Sequence, residues 1–352
     1  VSALTDRTRD ADLAVIVVST NEREWLGECL GSVFERAGGI ELQVFVADNE
    51  STDGTREFVE REFPEARVVA CANHGFAHAN NRALMLSSAR YVLFLNPDTR
   101  IAEGTLAGLV RAMDERPRVG LAGVRQVTGD GEVYPTIRRF PNALRALGQA
   151  LGAEQLRGPG PLTRLVRERE LDPAAYDREG ECDWTTGAFM LARREALEAA
   201  GILDERFFIY SEETDLCRRI KGAGFEVRHL PALTIVHYAG KGGLRPRMEA
   251  QDAYARLQYA RKHFSPAHRA AYRLALALGR ALRWLRAAVR RDGDARAAHG
   301  RALAVLAARG APPFGPPPPT AVRPRAATRP ESPARAGAPA AAASTTTERS
   351  NA

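Results

Sequence analysis

The sequence predicts an α/β protein: a mostly parallel central sheet with helices on both faces. Three observations carry this. Short apolar runs rich in strand formers recur along the first hundred residues: Leu13 to Val18, Leu42 to Ala47, Arg67 to Ala70 and Tyr91 to Leu95. Segments with apolar residues at helical spacing separate them. Each run then closes on small polar residues, and open sheets of this kind bind ligands just past the carboxyl ends of their strands.

The elements follow in order. Leu13 to Val18 reads as a buried strand closed by Ser19-Thr20-Asn21, and Trp25, Leu26, Leu30 and Val33 share one face of a helix over about Glu24 to Arg36. The second strand ends in Asp48-Asn49-Glu50-Ser51-Thr52-Asp53-Gly54-Thr55, and its helix is halted by Pro64. After the third strand, Asn73-His74-Gly75-Phe76 leads into a helix carrying Ala79, Ala83 and Leu84. The fourth strand stops at Asn96-Pro97-Asp98, where Pro97 lacks a ladder donor and biases Asn96 toward extended backbone. Gly129-Asp130-Gly131 signals a hairpin turn. Arg157 to Gly180, with alternating charge and Pro/Gly breaks, reads as a mobile excursion. Asp183 to Leu191 returns to strand character, with Gly187-Ala188 placed where something approaches the backbone closely.

Composition bounds the rest. The chain has 352 residues, 45% hydrophobic and 26% charged, with a formal net charge of +7. Such a balance favours an anionic partner. The basic residues concentrate near the carboxyl terminus without interleaved aromatics, which argues against nucleic acid. Four widely spaced cysteines, Cys29, Cys71, Cys182 and Cys217, suit neither a disulfide framework nor a zinc site and fit a reducing compartment. Leu13 to Val18 is too short for a secretory leader, and no run of about 18 apolar residues occurs.

Four polar clusters are candidates for chemistry. Asp98 stands at a strand end. Asp48 is placed to accept a hydrogen bond from a pyrimidine N–H or a ribose hydroxyl, with Thr20, Asn21, Ser51 and Asp53 beside it. Asn73 and Gly75 form a turn that either admits a diphosphate or is simply a turn. Glu212, Glu213 and Asp215 follow Ser211, a good N-cap, and three carboxylates so close repel unless a proton, cation or substrate intervenes. His237 ends another strand and could complete a metal site.

Ser-Thr-Asn after the first strand, Asp-Asn-x-Ser-Thr-Asp-Gly-Thr, Asn-x-Gly-Phe-Ala, Leu-Asn-Pro-Asp, Thr-Gly-Ala-x-Met, Phe-Phe-x-Tyr-x-Glu-Glu-x-Asp-Leu and Val-x-His together resemble family 2 glycosyltransferases over about Asp12 to Gly243. Within that family the chain is most similar to bacterial rhamnosyltransferases of cell-wall and polysaccharide assembly. The resemblance implies a GT-A fold and a divalent cation, Mg²⁺ or Mn²⁺. It implies an inverting transfer from a nucleotide-diphosphate sugar, here dTDP-rhamnose, to a glycan or polyprenyl-diphosphate-linked acceptor. Asp48 matches the base- and ribose-binding aspartate, and Asp98 the last aspartate of the metal-binding Asp-x-Asp, with Asn96 replacing its first acid. Glu213 matches the general base, often Asp in this motif, with Glu212 as its neighbouring candidate. His237 matches a histidine that contacts metal or diphosphate. Trp184, Gly187 and Ala188 are assigned to the acceptor.

This reading divides the chain into a flexible stretch at 1–11, a catalytic domain at 12–250, a basic helical extension at 251–310 and a disordered Pro/Ala-rich tail at 311–352. It places the protein in the cytoplasm, peripherally on the inner face of the membrane. There the helix from His268 to Arg291 would rest on anionic lipid through Leu274, Leu278, Leu282 and Leu285, flanked by Arg273, Arg280, Arg283, Arg286, Arg290 and Arg291. The alternatives are a nucleotidyltransferase, which lacks its Gly-rich loop here, and an inactive sugar-nucleotide-binding module.

Overall fold

The computed structural model describes residues 10–156, 160–238, 245–307 and 312–315. The first half alternates as its apolar pattern dictates: β1 (Leu13–Ser19), α1 (Arg23–Glu35), β2 (Leu42–Asn49), α2 (Thr55–Glu62), β3 (Ala66–Cys71), α3 (Phe76–Leu84) and β4 (Tyr91–Leu95). These strands pair in parallel in the order β3-β2-β1-β4. The apolar runs of β1, β4 and most of β2 are buried on both faces, whereas β3 at the edge is buried only at Ala66 and Cys71; two separate clusters of packed side chains, one per face, make the core.

Beyond β4 the pattern changes. β5 (Thr99–Glu103), α4 (Leu106–Asp114), β6 (Val119–Val127), α5 (Ala143–Ala150), α6 (Pro161–Val166), β7 (Gly180–Glu181), β8 (Phe189–Arg193), α7 (Arg194–Ala200), α8 (Glu212–Gly222) and β9 (Glu226–His237) follow. The sheet continues β4-β8-β6-β9-β5, with β7 also on β9. β8 runs antiparallel to both β4 and β6, and β5 and β7 run antiparallel to β9. The sheet is therefore mixed rather than mostly parallel: parallel on the amino-terminal side, mixed on the other. Two strands make the difference: β8 enters antiparallel between β4 and β6, and β5, which follows β4 by a tight turn at Asn96-Pro97-Asp98 with no crossover helix, runs antiparallel to β9 at the far edge.

Residues 157–159 lie outside the described residues; within 160–180, the stretch expected as a mobile excursion, Thr163, Arg167, Glu168 and Tyr176 are buried. Their charges are compensated. Arg139 pairs with Glu170 at 2.9 Å and Arg256 with Glu168 at 3.4 Å. The buried Tyr176 hydroxyl donates to the Glu170 carbonyl and accepts from the Ile137 amide.

Three further helices follow among the described residues: α9 (Pro246–His263), α10 (Pro266–Val289) and α11 (Gly293–Leu306). Among the described residues no helix is long and apolar enough to cross a membrane. Of the expected disordered tail, Pro312 to Gly315 are described: Phe314 stacks on Phe208 with ring centroids 4.3 Å apart, beneath the Arg247 guanidinium. The rest of that stretch lies outside the described residues, apart from 312–315, as does all of 1–9.

Gly75 shows how tightly the loops at the strand ends interlock. It holds φ at +99°, and a Cβ there would sit 2.1 Å from the Phe208 carbonyl oxygen. That oxygen accepts a hydrogen bond from the Phe76 amide at 2.7 Å. The backbone brought close to Gly75 is therefore the protein's own. Gly75→Ala should lower stability by about 1–3 kcal/mol, read as a fall in the urea midpoint with the slope unchanged.

Candidate active site

The carboxyl ends of β1, β2, β3 and β4 put the first three clusters along one edge, as the register requires: Ser19 is opposite Asp48, Asn49 opposite Cys71, and Val17 opposite Leu95. The β1 and β2 loops are latched to each other. The Asn21 amide donates to Ser51 Oγ at 3.0 Å, and the Thr52 amide to Asn21 Oδ1 at 2.7 Å. Asp53 accepts from the Arg23 amide at 3.0 Å and from Thr55 Oγ1 at 2.6 Å. Asn21, Ser51 and Asp53 thus spend hydrogen-bonding capacity on shaping this rim, with Thr20 beside them. Asp48 is buried and accepts only one such bond in the loop, from the Ser51 amide at 3.2 Å. Asn73 accepts from Asn49 Nδ2 at 2.9 Å, tying the β3 loop to the same edge.

Asp98 meets His237 across the β5–β9 pair. Thr99 is in register with His237, which brings Nε2 to 3.4 Å from Asp98 Oδ1. His237 is buried, its Nδ1 has no partner, and its ring meets Tyr134 edge-on. Glu22, a residue the motifs did not flag, lies nearby: burial, then the charge on Asp98, push it up to about 7. This corner is rich in carboxylate. Among the described residues no third His, Cys, Asp or Glu completes a metal-binding set with the pair. One carboxylate and one imidazole fit a divalent cation whose remaining positions are filled by diphosphate oxygens and water.

Glu212 and Glu213 open α8 and line a cavity of ≈ 360 Å³ together with Asn96, Trp184, Gly187, Ala188 and His237. The turn before them is unusual. Tyr210 and Ser211 both hold left-handed backbone, with φ of 73° and 70°. Ser211 makes no side-chain cap, contrary to the expectation from its residue type: its backbone is left-handed, whereas a capping side chain normally acts from extended backbone. Oε2 of both glutamates is buried without a partner. Burial raises the pKa of each, reinforced for Glu212 by the charge on Glu213, whereas Arg138 and Arg256 partly offset the rise at Glu213. A Cβ added at Gly187 would meet Glu213 Cβ at 3.9 Å, so the backbone there borders the glutamate without crowding it.

Asp215, the third acid of the motif, has a different fate. It is fully buried and ringed by Arg219 at 2.8 Å, Lys262 at 2.7 Å and His263 at 2.7 Å. Burial raises its pKa, and Arg219, His263 and Lys262 more than reverse this, holding it well below the usual carboxylate range.

Sequence reasoning missed the opposite wall. α9 and α10 supply Asp252, Arg256, Tyr259 and Tyr272 to the cavity, so these helices are part of its wall. Arg138, which also lines the cavity, was not assigned to the site either: its guanidinium stacks over Trp184 at 5.2 Å, and burial pulls its pKa down. A basic pair after a hairpin signal was its only trace in the sequence.

Residues 14–172 match the family model Glycosyl transferase family 2. The chain carries a glycosyl transferase family 2 domain. Its relatives include the N-acetylglucosaminyl-diphospho-decaprenol L-rhamnosyltransferase of Mycobacterium tuberculosis, 32% identical over 213 residues, 56% of this chain and 66% of that protein. The chain thus spans slightly under two thirds of that relative. Rhamnosyltransferase WbbL of Escherichia coli is 22% identical over 234 residues, 64% of this chain and 83% of its own. The fold is GT-A, as in the mannosyltransferase PcManGT of Pyrobaculum calidifontis solved with GDP-Man and Mn²⁺, at a TM-score of 0.50, 21% identity and 86% coverage of both chains.

The acids at the start of α8 yield two expectations. A carboxyl whose pKa is raised on folding is held protonated by the folded state, so its contribution to stability declines as pH rises through the folded value. The melting temperature of Glu212→Gln relative to wild type should therefore improve from about pH 5 to about pH 8. Asp215 has the opposite sign: its contribution is present above the ordinary carboxylate value and lost only on stronger acidification. Asp215→Asn should cost about 3–5 kcal/mol at neutral pH, measured by urea unfolding.

Proposed function

We propose that the protein is an inverting sugar transferase. It moves a hexose, rhamnose from dTDP-rhamnose, to a hydroxyl of a glycan or polyprenyl-diphosphate-linked acceptor in cell-wall or polysaccharide assembly. The observation that carries this reading is the pair Glu212 and Glu213, each with a buried unpartnered oxygen, in one cavity with His237 and beside the strand-end Asp98. The names of the mycobacterial and Escherichia coli relatives support rhamnose as the sugar and a polyprenyl diphosphate as the anchor.

In this mechanism the donor's nucleotide lies over the carboxyl ends of β1 and β2, with Asp48 accepting from base or ribose and Thr20, Asn21, Ser51, Asp53, Asn73 and Gly75 shaping the rim. Asp98 and His237 would hold Mg²⁺ or Mn²⁺, which when bound neutralises charge on the departing nucleoside diphosphate. Trp184, Gly187 and Ala188 position the acceptor. Glu213 takes the acceptor's hydroxyl proton as that oxygen attacks the anomeric carbon from the face opposite the leaving group. The bond to the diphosphate breaks with its electron pair, and the product anomer is inverted. Burial serves this chemistry, because a carboxylate with a raised pKa is a stronger base. Arg138 and Arg256 keep it from being protonated outright. A lipid-linked acceptor also brings the protein to the inner membrane surface.

The test is transfer from a panel of nucleotide sugars to a polyprenyl-diphosphate glycan, with the product anomer read by NMR. Retention of configuration, or no transfer from any donor, removes the proposal. Glu213→Gln should reduce kcat by about 10²–10⁴ while calorimetry shows unchanged donor affinity; the reverse order of damage with Glu212→Gln moves the base to Glu212. Asp98→Ala should abolish transfer, and chelation of wild type should do the same until Mg²⁺ or Mn²⁺ is restored.

A further inference from the structure

Ten large apolar side chains are exposed among the described residues, and all ten fall in two stretches, 144–165 and 274–289. These stretches contain α5, α6 and most of α10, which pack on one another. α5 and α10 run in the same direction: the Ala143 amide donates to His268 Nε2 at 3.2 Å, and one helical stretch later Ala150 Cβ lies 3.2 Å from where a Cβ on Gly279 would be. At about 100° per residue, Leu274, Leu278, Leu285 and Val289 lie within about 60° of each other on α10, and Leu144, Leu147 and Leu151 form a similar stripe along α5 and its C-cap.

The two stripes face the same side. On α10 the line of contact with α5, through Ala275 and Gly279, lies about a quarter-turn from its stripe in one sense. On α5 the contact line, through Ala146 and Ala150, lies about a quarter-turn from its stripe in the opposite sense. Between parallel helices those opposite turns point both stripes outward together. α11 covers the other flank of α10, where Arg273 donates to the Leu306 carbonyl and Gly300 approaches Trp284. Leu274, Leu285 and Val289 are left 72%, 55% and 77% exposed.

The two helices that carry the stripes bear charge of one sign, and the acids nearest them in sequence, Glu154, Asp292 and Asp294, lie outside both, Asp292 as the cap of α11. Neither α5 nor α10 contains an Asp or Glu. Arg286, Arg290 and Arg291 are exposed at the carboxyl end of α10. Two arginines expected to reach outward do not: Arg280 turns inward to Glu249 and Asp252, and Arg273 caps the end of α11. A second copy of the chain seated here by two-fold symmetry would set one acid-free basic helix pair against another. An anionic lipid surface instead takes the leucines into its interface and neutralises the arginines.

We propose that the joint α5–α10 face is a docking surface for an anionic bilayer. The leucine stripes insert at the headgroup boundary, with Trp284 at their edge, where an indole finds both apolar and polar neighbours. Tyr272 leaves α10 on the side away from the stripe and lines the catalytic cavity. Docking therefore holds that cavity about one helix diameter, roughly 10 Å, from the lipid. The usefulness of this rests on the transferase reading; the docking itself does not.

The test is co-sedimentation of the full chain, without donor or acceptor, with vesicles of phosphatidylcholine alone or mixed equally with phosphatidylglycerol. Wild type should bind the mixed vesicles and weaken with salt. Leu274→Glu/Leu285→Glu, both at exposed sites, should bind about tenfold or more weakly. Arg286→Glu/Arg290→Glu should lose about tenfold on mixed vesicles alone, with circular dichroism and melting unchanged in both. The proposal is overturned if wild type stays in the supernatant, if it binds both vesicles equally, or if the leucine pair sediments like wild type. It is equally overturned if, without lipid, sedimentation equilibrium shows a dimer that the leucine pair dissolves. Vesicle binding that persists in a chain inactive with every donor would sink the transferase reading and leave this one standing.

Discussion

The ion cluster around Asp215 governs how the second half of the molecule is assembled. A carboxylate removed from water is tolerated only with close countercharges, and it recruits them from two helices: Arg219 from α8 itself, Lys262 and His263 from the end of α9. Lys262 also reaches Asp204, so the loop before α8 joins the same knot. The consequence is positional. With the first turn of α8 pinned to α9, Glu212 and Glu213 are aimed into the cavity, and Asp252, Arg256 and Tyr259 of α9 become its far wall.

Three neighbouring acids thus come to play two physical parts. Asp215 is satisfied and keeps its charge. Glu212 is buried and Glu213 half-buried, each with one buried oxygen left unpartnered, and burial raises the pKa of both. Helix-end electrostatics would favour all three equally. Their environments separate them, and such separation is how one protein obtains both a structural carboxylate and a basic one.

The opposite edge of the cavity depends on a different device. β5 turns back directly from β4 and pairs with β9, so that a strand-end aspartate and a strand-end histidine 139 positions later stand side by side. Gly75, close against the Phe208 carbonyl, ties the loop after β3 to the turn that launches α8. Both halves of the site are therefore set by backbone contacts between loops as much as by the side chains they carry.

The sequence by itself determined the parallel half of the sheet. Apolar runs of strand length alternating with helical spacing are local patterns, and burial on both faces leaves such runs little choice. It also marked Asp48, Asp98, Glu213 and His237, because strand ends and helix starts are where polar residues depart from the packing pattern. What only the tertiary structure decided depends on partners distant in sequence. The antiparallel placement of β8 and β5, the order of the segment around Glu168 and Glu170, and the entry of Arg138 and Tyr272 into the cavity are of this kind. So is the exposed leucine face: periodicity along α10 shows an apolar stripe, but whether that stripe meets protein or water depends on the side from which α5 and α11 pack.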